Sequence, residues 1–512
     1  MPSSALSAAA VRLHPDDTVV VAMRDIAAGE PIEAGAVTTR EPIPRGHKIA
    51  VRRVEQGKPV RKFGQIIGAA SCRIEAGEHV HTHNLAFVSS QADRSIGGDR
   101  RNTPPLPANE TATFEGIVRA DGRVATRNYV GILPTVNCSA TVARIISEQF
   151  RAPGALDEFP NVDGVVALTH KTGCAAGTTG EAIDILRRTM AGYAQHPNFA
   201  AVLIVALGCE SNQLSRLIEA EDLPLGGRIR ALTMQEQGGT NATVRAAVSR
   251  IRDLLAEADG ARRQTVSAKH LKLGLQCGGS DSMSGITANP ALGVASDLLV
   301  RNGGTSILSE TPEIYGAEHM LLGRAASPEV GRKLIDLLEW WEAYTRRHDE
   351  TLDTNPAPGN KAGGITTILE KSLGAAAKGG TSDLIEVYRY AEPVTKQGFV
   401  FMDTPGYDPV SVTGQVAGGA NIVCFTTGRG SCFGSKPVPS LKLATNTAMY
   451  CRMSEDMDIN CGAIADGEST VEEMGERIFQ LIIETASGKK SKSEIYGYGE
   501  EEFAPWHMGA TL

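Results

Sequence analysis

The chain has 512 residues, of which 42% are hydrophobic and 21% charged, as in ordinary globular proteins. At roughly 150 residues per domain, this length predicts about three domains. The formal net charge of −8 offers no basic field for nucleic acid or an anionic membrane, and aromatic residues, at 5%, are too few for base-stacking platforms. No apolar run approaches the roughly 20 residues of a membrane-spanning helix.

The nine cysteines do not have the pattern of a disulfide framework or a zinc ribbon. Their number is odd, and no Cys-x-x-Cys pair occurs. The short apolar stretch at the N-terminus is not preceded by basic residues, so no secretory signal is expected. We therefore expect a cytoplasmic protein with reduced thiols.

The first 88 residues are predicted to form a small all-β domain. Short β-branched or alternating segments are separated by Gly and Pro, and they are Thr18–Ala22, His47–Val51, Gln65–Ala70 and Glu78–Ala86. Residues 89–112 then lose all periodicity and are rich in Ser, Asp, Arg and Pro, which predicts an exposed linker.

After the linker, a hairpin is followed by alternating strands and helices. Asp121-Gly122 is typical of a type I′ turn and predicts a hairpin with strands Glu115–Arg119 and Arg123–Gly131. A helix is predicted from Ser139 to Phe150. The following strands are predicted at Val165–Leu168, Ala200–Leu207, Arg228–Leu232, Leu271–Gln276, Thr305–Ser309 and Asn421–Thr426. Helices are predicted between them, and this alternation indicates an α/β fold with a mostly parallel sheet covered by helices on both faces.

Reactive side chains follow the ends of these predicted strands. The loops are Thr169–Cys174, Gly208–Glu210, Cys277–Asp281, Ser309–Glu313 and Thr426–Gly430. Ligands of an open parallel sheet bind beyond the carboxyl ends of its strands. Thiols, carboxylates, a histidine and an arginine are therefore expected to converge on one edge of the sheet.

The spacing of four cysteines strengthens this expectation. Cys138, Cys174, Cys209 and Cys277 are separated by 36, 35 and 68 residues, and about 35 residues is the length of one strand–helix unit. Each of them can be a small buried hydrophobe, or their thiolates can bind iron or zinc. Both a three-thiolate iron–sulfur cluster and a mononuclear iron with carboxylate or imidazole ligands stay open.

The other strand-end residues also have two interpretations. Glu310 and Glu313 suit a helix N-terminus as well as catalysis. His170 is either a base or a hydrogen-bonded structural histidine. Arg429, between two glycines, either binds a carboxylate through its two-pronged head group or lies in a surface turn.

Two polar segments lie outside the strand ends. The rigid loop Asn355–Lys361 ends in a lysine that is a candidate base or charge clamp, or is merely solvated. His79, His81 and His83 alternate, so one strand face would present three imidazoles as a metal or anion site, or without any ligand. Neither a P-loop nor a dinucleotide-binding glycine motif occurs, which argues against a nicotinamide dehydrogenase.

Several of these segments, taken in order, carry a family resemblance. They are Arg45–Lys48, Gly77–Asn84, Asp121–Asn128, Thr172–Cys174, Leu207–Glu210, Gln276–Asp281, Ser284–Pro290, Asn355–Gly364, Phe425–Gly430 and Met457–Asn460. Over nearly its full length the chain resembles the altronate/galactarate dehydratases.

The resemblance implies four parts of the chain. They are a β-clip domain of the SAF type over residues 1–88, a linker over 89–112, a middle α/β domain over 113–270 used in dimerisation, and a Rossmann-like catalytic domain over 271–512, unless residues 113–512 form one interleaved unit. It also implies a homodimer that dehydrates a sugar acid to a 2-keto-3-deoxy acid. Iron is the implied cofactor, as Fe²⁺ or an iron–sulfur cluster, with Mn²⁺ as an alternative.

The substrate stays open at this stage. The His-rich segment Glu78–Asn84 and Pro312–Glu318 resemble the altronate branch, whereas Ala291–Arg301 and Met457–Asn460 resemble the galactarate branch. A related branch releases sulfite from sulfolactate. An altronate-like aldonate is preferred here, and a sugar-acid-binding protein without activity is the non-enzyme alternative.

The reaction needs a base, an acid and an electrophile, because loss of the α-proton creates an enolate-like dianion. The catalytic candidates are His170, Lys361, Glu310 and Asp281. The metal candidates are Cys174, Cys209, Cys277 and Glu310. The substrate-binding candidates are Arg429, Asn355, Asn360, His79, His81 and His83.

Overall fold

The computed structural model describes residues 9–88, 94–175 and 177–508. Residues 1–8 of the predicted β domain, 89–93 of the predicted linker, Ala176 of the first strand-end loop and residues 509–512 lie outside the described residues. No helix within the described residues is long and apolar enough to span a membrane.

The N-terminal unit, described from residue 9 to 88, is built of short strands and has one 3-10 turn at Glu33–Gly35, which confirms the predicted small all-β region. Its described strands are β1 (Ala10–Val11), β2 (Val19–Ala22), β3 (Pro31–Ile32), β4 (Val37–Thr38), β5 (Lys48–Ala50), β6 (Pro59–Lys62), β7 (Gln65–Ala70), β8 (His79–Val80) and β9 (Leu85–Ala86). They form the sheets β1-β2-β5-β8, β6-β7-β9 and β3-β4.

The predicted strand Glu78–Ala86 is wrong as a single strand. The chain turns between β8 and β9, where the Asn84 N–H donates to the His81 carbonyl over 3.0 Å. The Asn84 side chain also donates to the His79 carbonyl and accepts from the His81 N–H. An Asx-type turn of this kind satisfies the local backbone groups without a strand partner.

The middle unit, residues 113–267, contains a small antiparallel sheet and a parallel one. The elements are β10 (Thr113–Val118), β11 (Val124–Ala125), β12 (Tyr129–Pro134), α1 (Ala140–Glu148), β13 (Gly164–Ala167), α2 (Glu181–Gln195), β14 (Phe199–Ala206), α3 (Leu214–Glu221), β15 (Ile229–Thr233), α4 (Thr240–Ala258) and β16 (Arg263–Ser267). The parallel sheet has the order β13-β12-β14-β15, and β10 pairs with β11 and β16 in the antiparallel one.

The hairpin around Asp121-Gly122 is confirmed, but its second strand is shorter than predicted. β11 ends at Ala125, and the buried Arg127 then bonds to Glu494 and to the carbonyls of Thr126, Thr485 and Lys489. This anchoring turns the chain out of the antiparallel ladder and into β12 of the neighbouring sheet.

The C-terminal unit is built on a parallel sheet of seven described strands. Its elements are β17 (Lys272–Cys277), α5 (Ala288–Arg301), β18 (Thr305–Leu308), α6 (His319–Leu322), α7 (Pro328–Arg347), α8 (Pro358–Ala362), α9 (Ile368–Ala376), β19 (Leu384–Tyr388), β20 (Gly398–Met402), α10 (Asp408–Ala417), β21 (Ile422–Thr427), β22 (Ser440–Ala444), α11 (Thr447–Arg452), β23 (Ile459–Asn460), α12 (Val471–Ala486) and α13 (Lys492–Ile495).

The strand order β19-β20-β18-β17-β21-β22-β23 fixes where a ligand can bind. From β17 the chain adds strands first on one side and later, with β21, on the other. The side on which new strands are added therefore changes between β17 and β21. Such a switch point opens a crevice at the carboxyl ends of the strands. The predicted α/β class with a parallel sheet is confirmed.

Helices cover both faces of this sheet. One core contains apolar residues of α5, α7 and α12, among them Leu292, Leu334 and Ile478. On the other face, α10 packs against α2 of the middle unit through residues such as Val416 and Met190. The middle and C-terminal sheets thus share one buried layer.

Candidate active site

The switch point of the C-terminal sheet brings together one thiol and two carboxylates. Cys277 is the last residue of β17, and Glu310 and Glu313 follow β18, the adjacent strand. The Sγ atom of Cys277 lies 3.7 Å from Oε2 of Glu310 and 3.6 Å from Oε2 of Glu313. All three side chains are buried, and their ligand atoms lie within 4.8 Å of one another.

Glu310 is held in a strained backbone conformation. Its φ angle is +71°, in the left-handed region, which is costly for a residue with a side chain. Its N–H donates to the Thr404 hydroxyl over 2.9 Å, which fixes the turn. Its Oε1 atom is buried without a hydrogen-bond partner among the described residues. A buried oxygen without a hydrogen bond, next to a carboxylate and a thiol, is energetically costly unless a positive group lies nearby.

Two lysines supply positive charge to this cluster. Nζ of Lys378 lies 2.8 Å from Sγ of Cys277 and 3.4 Å from Oε2 of Glu310. Nζ of Lys371 lies 2.6 Å from Oε1 of Glu313 and donates to Oδ1 of Asn355 over 2.8 Å. Because these ion pairs are buried, their charges are weakly screened.

The helix α9 that carries Lys371 is held from the N-terminal unit. Its Thr367 N-cap hydroxyl accepts from the Glu370 N–H. The Glu370 carboxylate is buried and binds two buried lysines of the other unit, Lys48 over 2.8 Å and Lys62 over 2.9 Å. The first unit therefore helps to set the position of the neighbouring Lys371.

The electrostatics of the site separate its two glutamates. Burial raises the pKa of Glu310, and the charge of Glu313 raises it further. Burial would also raise the pKa of Glu313, but the charges of Lys371 and Lys378 outweigh this effect and hold its pKa below the usual value. Burial raises the pKa of the Cys277 thiol to about 12.

A cavity of about 510 Å³ opens onto this cluster. Asp408, the first residue of α10, lines it, and burial together with the charge of Glu313 raises the pKa of Asp408 to about 6. Other lining residues are Cys277, Gly278, Gly279, Glu313, Asn355, Asn360 and Lys371. The cavity thus combines an acid–base set with donors for a small polar ligand.

Asn355 and Asn360, both predicted to bind substrate, line this cavity. Asn355 donates to Oε1 of Glu313 over 2.9 Å. Asn360 caps α8 by accepting from the Ala357 N–H and donates to the Ser280 carbonyl. Arg429 lies at the rim, where its N–H donates to the carbonyl of the lining residue Gly279 over 2.9 Å and its side chain is exposed.

The expected convergence of all strand-end residues on one edge is wrong, because the chain forms two parallel sheets. Cys138, Cys174 and Cys209 follow strands of the middle sheet and are exposed, whereas Cys277 is buried at the C-terminal sheet. Within the described ranges, the cluster of Cys277 with its two glutamates is the one place where three candidate ligand atoms come this close. The geometry therefore gives no support to one ion shared by Cys174, Cys209, Cys277 and Glu310.

His170 is placed in the middle unit as a buried, doubly hydrogen-bonded ring. Its Nε2 donates to the Pro134 carbonyl over 2.9 Å, and its Nδ1 accepts from the Thr172 N–H over 3.2 Å. Burial lowers the pKa of His170 to about 4, so the ring is neutral and both nitrogens are engaged. This geometry fits the structural interpretation rather than the base.

Asp281 and Lys361 also lie apart from the cavity lining. Asp281 is buried and accepts hydrogen bonds from the Ser284 N–H, the Thr445 hydroxyl and the Asn446 amide, so it ties three loops together. Lys361 contributes its backbone carbonyl, 2.9 Å from Nε2 of His81. Neither side chain lines the cavity at Cys277, although Asp281 lines a smaller cavity together with Lys371.

The histidines of the N-terminal unit form a cluster against α8. His47 and His79 are hydrogen-bonded ring to ring over 2.9 Å, and the ring of His81 stacks on both. The ring of His83 lies 5.5 Å from that of His79 and is tilted against it. His47 and His81 face the carbonyls of Ala362 and Lys361. The cluster thus lies behind the short helix whose Asn360 lines the cavity.

The sequence interpretation missed Lys371, Lys378 and Asp408. The two lysines are seven residues apart, two helical turns, so a helix over this apolar segment places them on one face. That spacing was a usable signal. Asp408 follows a strand end, β20, that the sequence interpretation did not identify.

A buried acid–base cluster in a cavity at the switch point of a parallel sheet defines the protein as an enzyme. Family models support this and cover almost all of the chain. The altronate/galactarate dehydratase SAF domain matches residues 8–87, the second domain of D-galactarate dehydratase/altronate hydrolase matches 116–259, and the C-terminal domain of D-galactarate/altronate dehydratase matches 268–511.

Full-length relatives agree with the family models. The chain is 37% identical over 506 residues to the altronate dehydratase of Bacillus subtilis, covering 98% of this chain and 99% of the relative. It is 35% identical over 508 residues to the altronate dehydratase of Escherichia coli (98% and 99%) and 37% identical over 488 residues to its galactarate dehydratase (L-threo-forming) (94% and 93%). The chain therefore belongs to the D-galactarate/altronate dehydratase family, and it is a lyase.

Proposed function

We propose that the protein dehydrates an altronate-like aldonate to a 2-keto-3-deoxy acid in the cavity at Cys277. The observation that carries this proposal is the buried set of Glu310, Glu313, Lys371 and Lys378 around that thiol. The substrate offers a carboxylate, an acidic α-hydrogen and a β-hydroxyl. Its elimination needs a base, an acid and a positive environment for the developing dianion.

The two ammonium groups provide the positive environment. Lys371 lies on α9 and Lys378 in the turn after it, and both contact the same cluster. Burial would lower the pKa of each lysine, but the acidic neighbours outweigh it and raise the pKa of both. They are therefore cations at neutral pH. Arg429 at the rim supplies a further cation, suited to a carboxylate, while Asn355 and Asn360 hold hydroxyls of the substrate.

Asp408 is the proposed proton acceptor. Its carboxylate lines the cavity beside Gly278, where even one added carbon would collide with Oδ2 of Asp408. A base with a pKa of about 6 is well matched to work near neutrality. The α-proton moves to this carboxylate, and its bonding electrons form the carbon–carbon double bond as the β-hydroxyl leaves.

Lys378 is the proposed acid for the leaving hydroxyl. Its ammonium is buried beside Cys277 and Glu310 and keeps its proton until a stronger base appears. The departing hydroxide is a stronger base than an amine, so the proton transfer is downhill and water leaves. The enol that remains ketonises to the 2-keto-3-deoxy acid.

The donor set fits the iron that the family resemblance implies. Cys277, Glu310 and Glu313 would hold it, because a soft thiolate with two carboxylates suits Fe²⁺ and Oε1 of Glu310 has no hydrogen-bond partner among the described residues. When bound, the metal supplies a Lewis acid. Mn²⁺ is the alternative ion for the same oxygen-rich set.

Galactarate is the second candidate substrate, because the chain is as similar to a galactarate dehydratase as to an altronate dehydratase. Altronate is preferred because the segment Pro312–Glu318, which carries Glu313, resembles the altronate branch. An aldarate has a carboxylate at each end and would need a second cation at the far end of the cavity.

The test is a substrate panel with anaerobically purified, Fe²⁺-loaded protein. Altronate, galactarate and sulfolactate are incubated separately, and 2-keto-3-deoxy acid or sulfite is measured. We expect the highest kcat/KM with altronate. Preference for galactarate would replace the substrate but keep the chemistry, whereas no turnover of any panel member would overturn the proposal.

We also propose that the protein works as a cytoplasmic homodimer formed through the middle unit. The family resemblance supports the dimer, and the cysteine pattern, typical of reduced thiols, supports the location. Light scattering after size-exclusion chromatography measures the mass directly. A mass of one chain at micromolar concentration would overturn this part.

A further inference from the structure

Three cysteines of the middle unit lie on one rim that the proposed reaction does not use. Cys138 follows β12, Cys174 follows β13 and Cys209 follows β14. These strands are neighbours in the order β13-β12-β14 and run parallel, so their carboxyl ends meet at the same edge. All three thiols are exposed.

The three loops are joined to one another by backbone hydrogen bonds. The Asn137 N–H donates to the Thr172 carbonyl over 2.9 Å, which joins the loops of Cys138 and Cys174. The Ser211 N–H donates to the Cys174 carbonyl, also over 2.9 Å, which joins the loops of Cys174 and Cys209. Each cysteine therefore lies within two residues of a bond to the next loop.

Buried polar side chains hold these loops, so the thiols are not needed for that purpose. His170 bonds the Pro134 carbonyl and the Thr172 N–H, and the Asn137 amide donates to the His170 carbonyl. Glu210 accepts from the N–H groups of Leu207 and Gly208. The loops are thus held by buried groups, and the three cysteines are exposed on them.

We propose that Cys138, Cys174 and Cys209 bind an iron–sulfur cluster through three thiolates. Thiolates select soft centres such as iron–sulfur clusters and zinc. Each thiol loses its proton when its sulfur binds iron, and iron and sulfide are the co-reactants. One iron of a four-iron cluster then has no cysteine ligand.

The separation of the three sulfur atoms argues against a single zinc ion. The three sulfur atoms are not all within 4.8 Å of one another, because the group at Cys277 alone meets that limit among residues 9–88, 94–175 and 177–508. A tetrahedral zinc with bonds of ~2.3 Å needs sulfur atoms ~3.8 Å apart. A cluster spans a wider set of ligands.

A polar neighbour is already in place for such a group. Nε2 of Gln235, from the loop after β15, donates to Sγ of Cys209 over 3.4 Å. Hydrogen bonds to ligand sulfur atoms tune the reduction potential of a cluster. A Gln235→Leu variant should therefore keep the cluster and shift its potential.

The test is anaerobic reconstitution of the full-length protein with ferrous iron and sulfide. After desalting, iron, acid-labile sulfide and visible absorption are measured, and electron paramagnetic resonance is recorded after reduction. We expect about four irons and four sulfides per chain, the content of a single four-iron cluster. The triple variant C138S/C174S/C209S should lose the absorption and the sulfide.

Matched controls separate this site from the proposed active site. Cys451→Ser changes an exposed cysteine on α11 and should bind the cluster as the wild type does. Cys277→Ser should also keep the cluster absorption, whatever it does to turnover. If the triple variant fails to fold, the three single variants are compared instead.

A wild-type protein without bound sulfide would overturn the proposal, as would a triple variant that retains the absorption. Zinc binding without iron uptake, or a disulfide among the three cysteines that persists under reductant, would also overturn it. None of these readouts depends on turnover, so the proposal can fail while the dehydratase proposal stands.

Discussion

The rims of the two parallel sheets are alike in topology and opposite in chemistry. In both, cysteines follow the carboxyl ends of neighbouring strands. Cys277 at the C-terminal sheet is 2% exposed and contacts an ammonium group at 2.8 Å. Cys209 at the middle sheet is exposed, and its sulfur accepts a hydrogen bond from a neutral amide, that of Gln235, over 3.4 Å.

The difference comes from what is packed over each rim. The C-terminal rim is covered by α9 and the turn after it, which bring Lys371 and Lys378 onto the strand ends. The middle rim is tied by its own buried His170 and Glu210 and has no such helix above it among the described residues. Strand ends select a place for chemistry, and the covering segment decides which chemistry it is.

Of the substitutions considered, replacing Lys378 should reduce turnover most. Lys378→Met removes the cation and the proposed acid and leaves Cys277 and Glu310 without their buried partner. We expect kcat to fall by about a thousandfold, within the range of lost acid–base catalysis. Lys489→Met, at an exposed ion pair, is the matched control and should be neutral. Retained turnover in Lys378→Met would contradict the assignment.

Asp408→Asn should separate proton removal from binding. We expect kcat to fall by about a hundredfold with little change in KM, because the amide still fills the space but accepts no proton. Exchange of the substrate α-hydrogen with heavy water should be lost in parallel. Persistent exchange in the variant would show that another residue takes the proton.

The sequence predicted the strand ends better than the site. Cys277, Glu310, Asn355 and Asn360 were all selected, because each follows a strand or lies in a rigid polar loop. Lys371 and Lys378 were not, since a lysine in an apolar helix shows its partner only when the fold brings it there. They lie about a hundred residues beyond Cys277 along the chain.

The alternation of strands and helices also did not predict that the chain forms two parallel sheets. A spacing of about 35 residues places cysteines at equivalent strand ends of either one sheet or two. The pairing that decides between them is β17 with β21, across more than a hundred residues. The sequence shows that His170 and Asp281 lie near strand ends, but not that hydrogen bonds to neighbouring loops hold both side chains.

Metal removal tests whether the buried Cys277 holds a metal that an exposed cysteine does not. Chelation should abolish turnover, and Fe²⁺ should restore it. In Cys277→Ser, the Fe²⁺ concentration that restores half of the activity should rise by about tenfold or more, by analogy with lost metal contacts. Cys451→Ser is the control. Full metal-free activity, measured with the metal content checked, would contradict the Lewis-acid role.

Glu370→Gln tests whether the N-terminal unit supports the catalytic rim. The change leaves Lys48 and Lys62 buried without their carboxylate, and breaking such a buried pair costs about 3–5 kcal/mol. We expect a lower urea midpoint and a smaller loss of turnover than in Lys378→Met. Glu484→Gln, at an exposed ion pair, should change neither. An unchanged midpoint would show that the two units do not depend on this contact.

The histidine cluster adds a weaker, pH-dependent contact between the same units. Burial, together with the neighbouring imidazoles, lowers the pKa of His47 from the ordinary value of 6.5 to about 4 and that of His79 to about 3. Between those values the unfolded chain binds more protons than the folded one. Stability is therefore present above about pH 6.5 and is lost as the pH falls toward 4.

His79→Gln removes one of these proton-linked groups, so the thermal midpoint should fall less steeply with decreasing pH than in the wild type. His14→Gln, at an exposed histidine of the same unit, should keep the wild-type steepness. Equal slopes in all three proteins would show that the cluster is not linked to folding. Support from the N-terminal unit would then rest on its other contacts, such as the Glu370 ion pairs and the bond from Lys62 to the Ser282 hydroxyl.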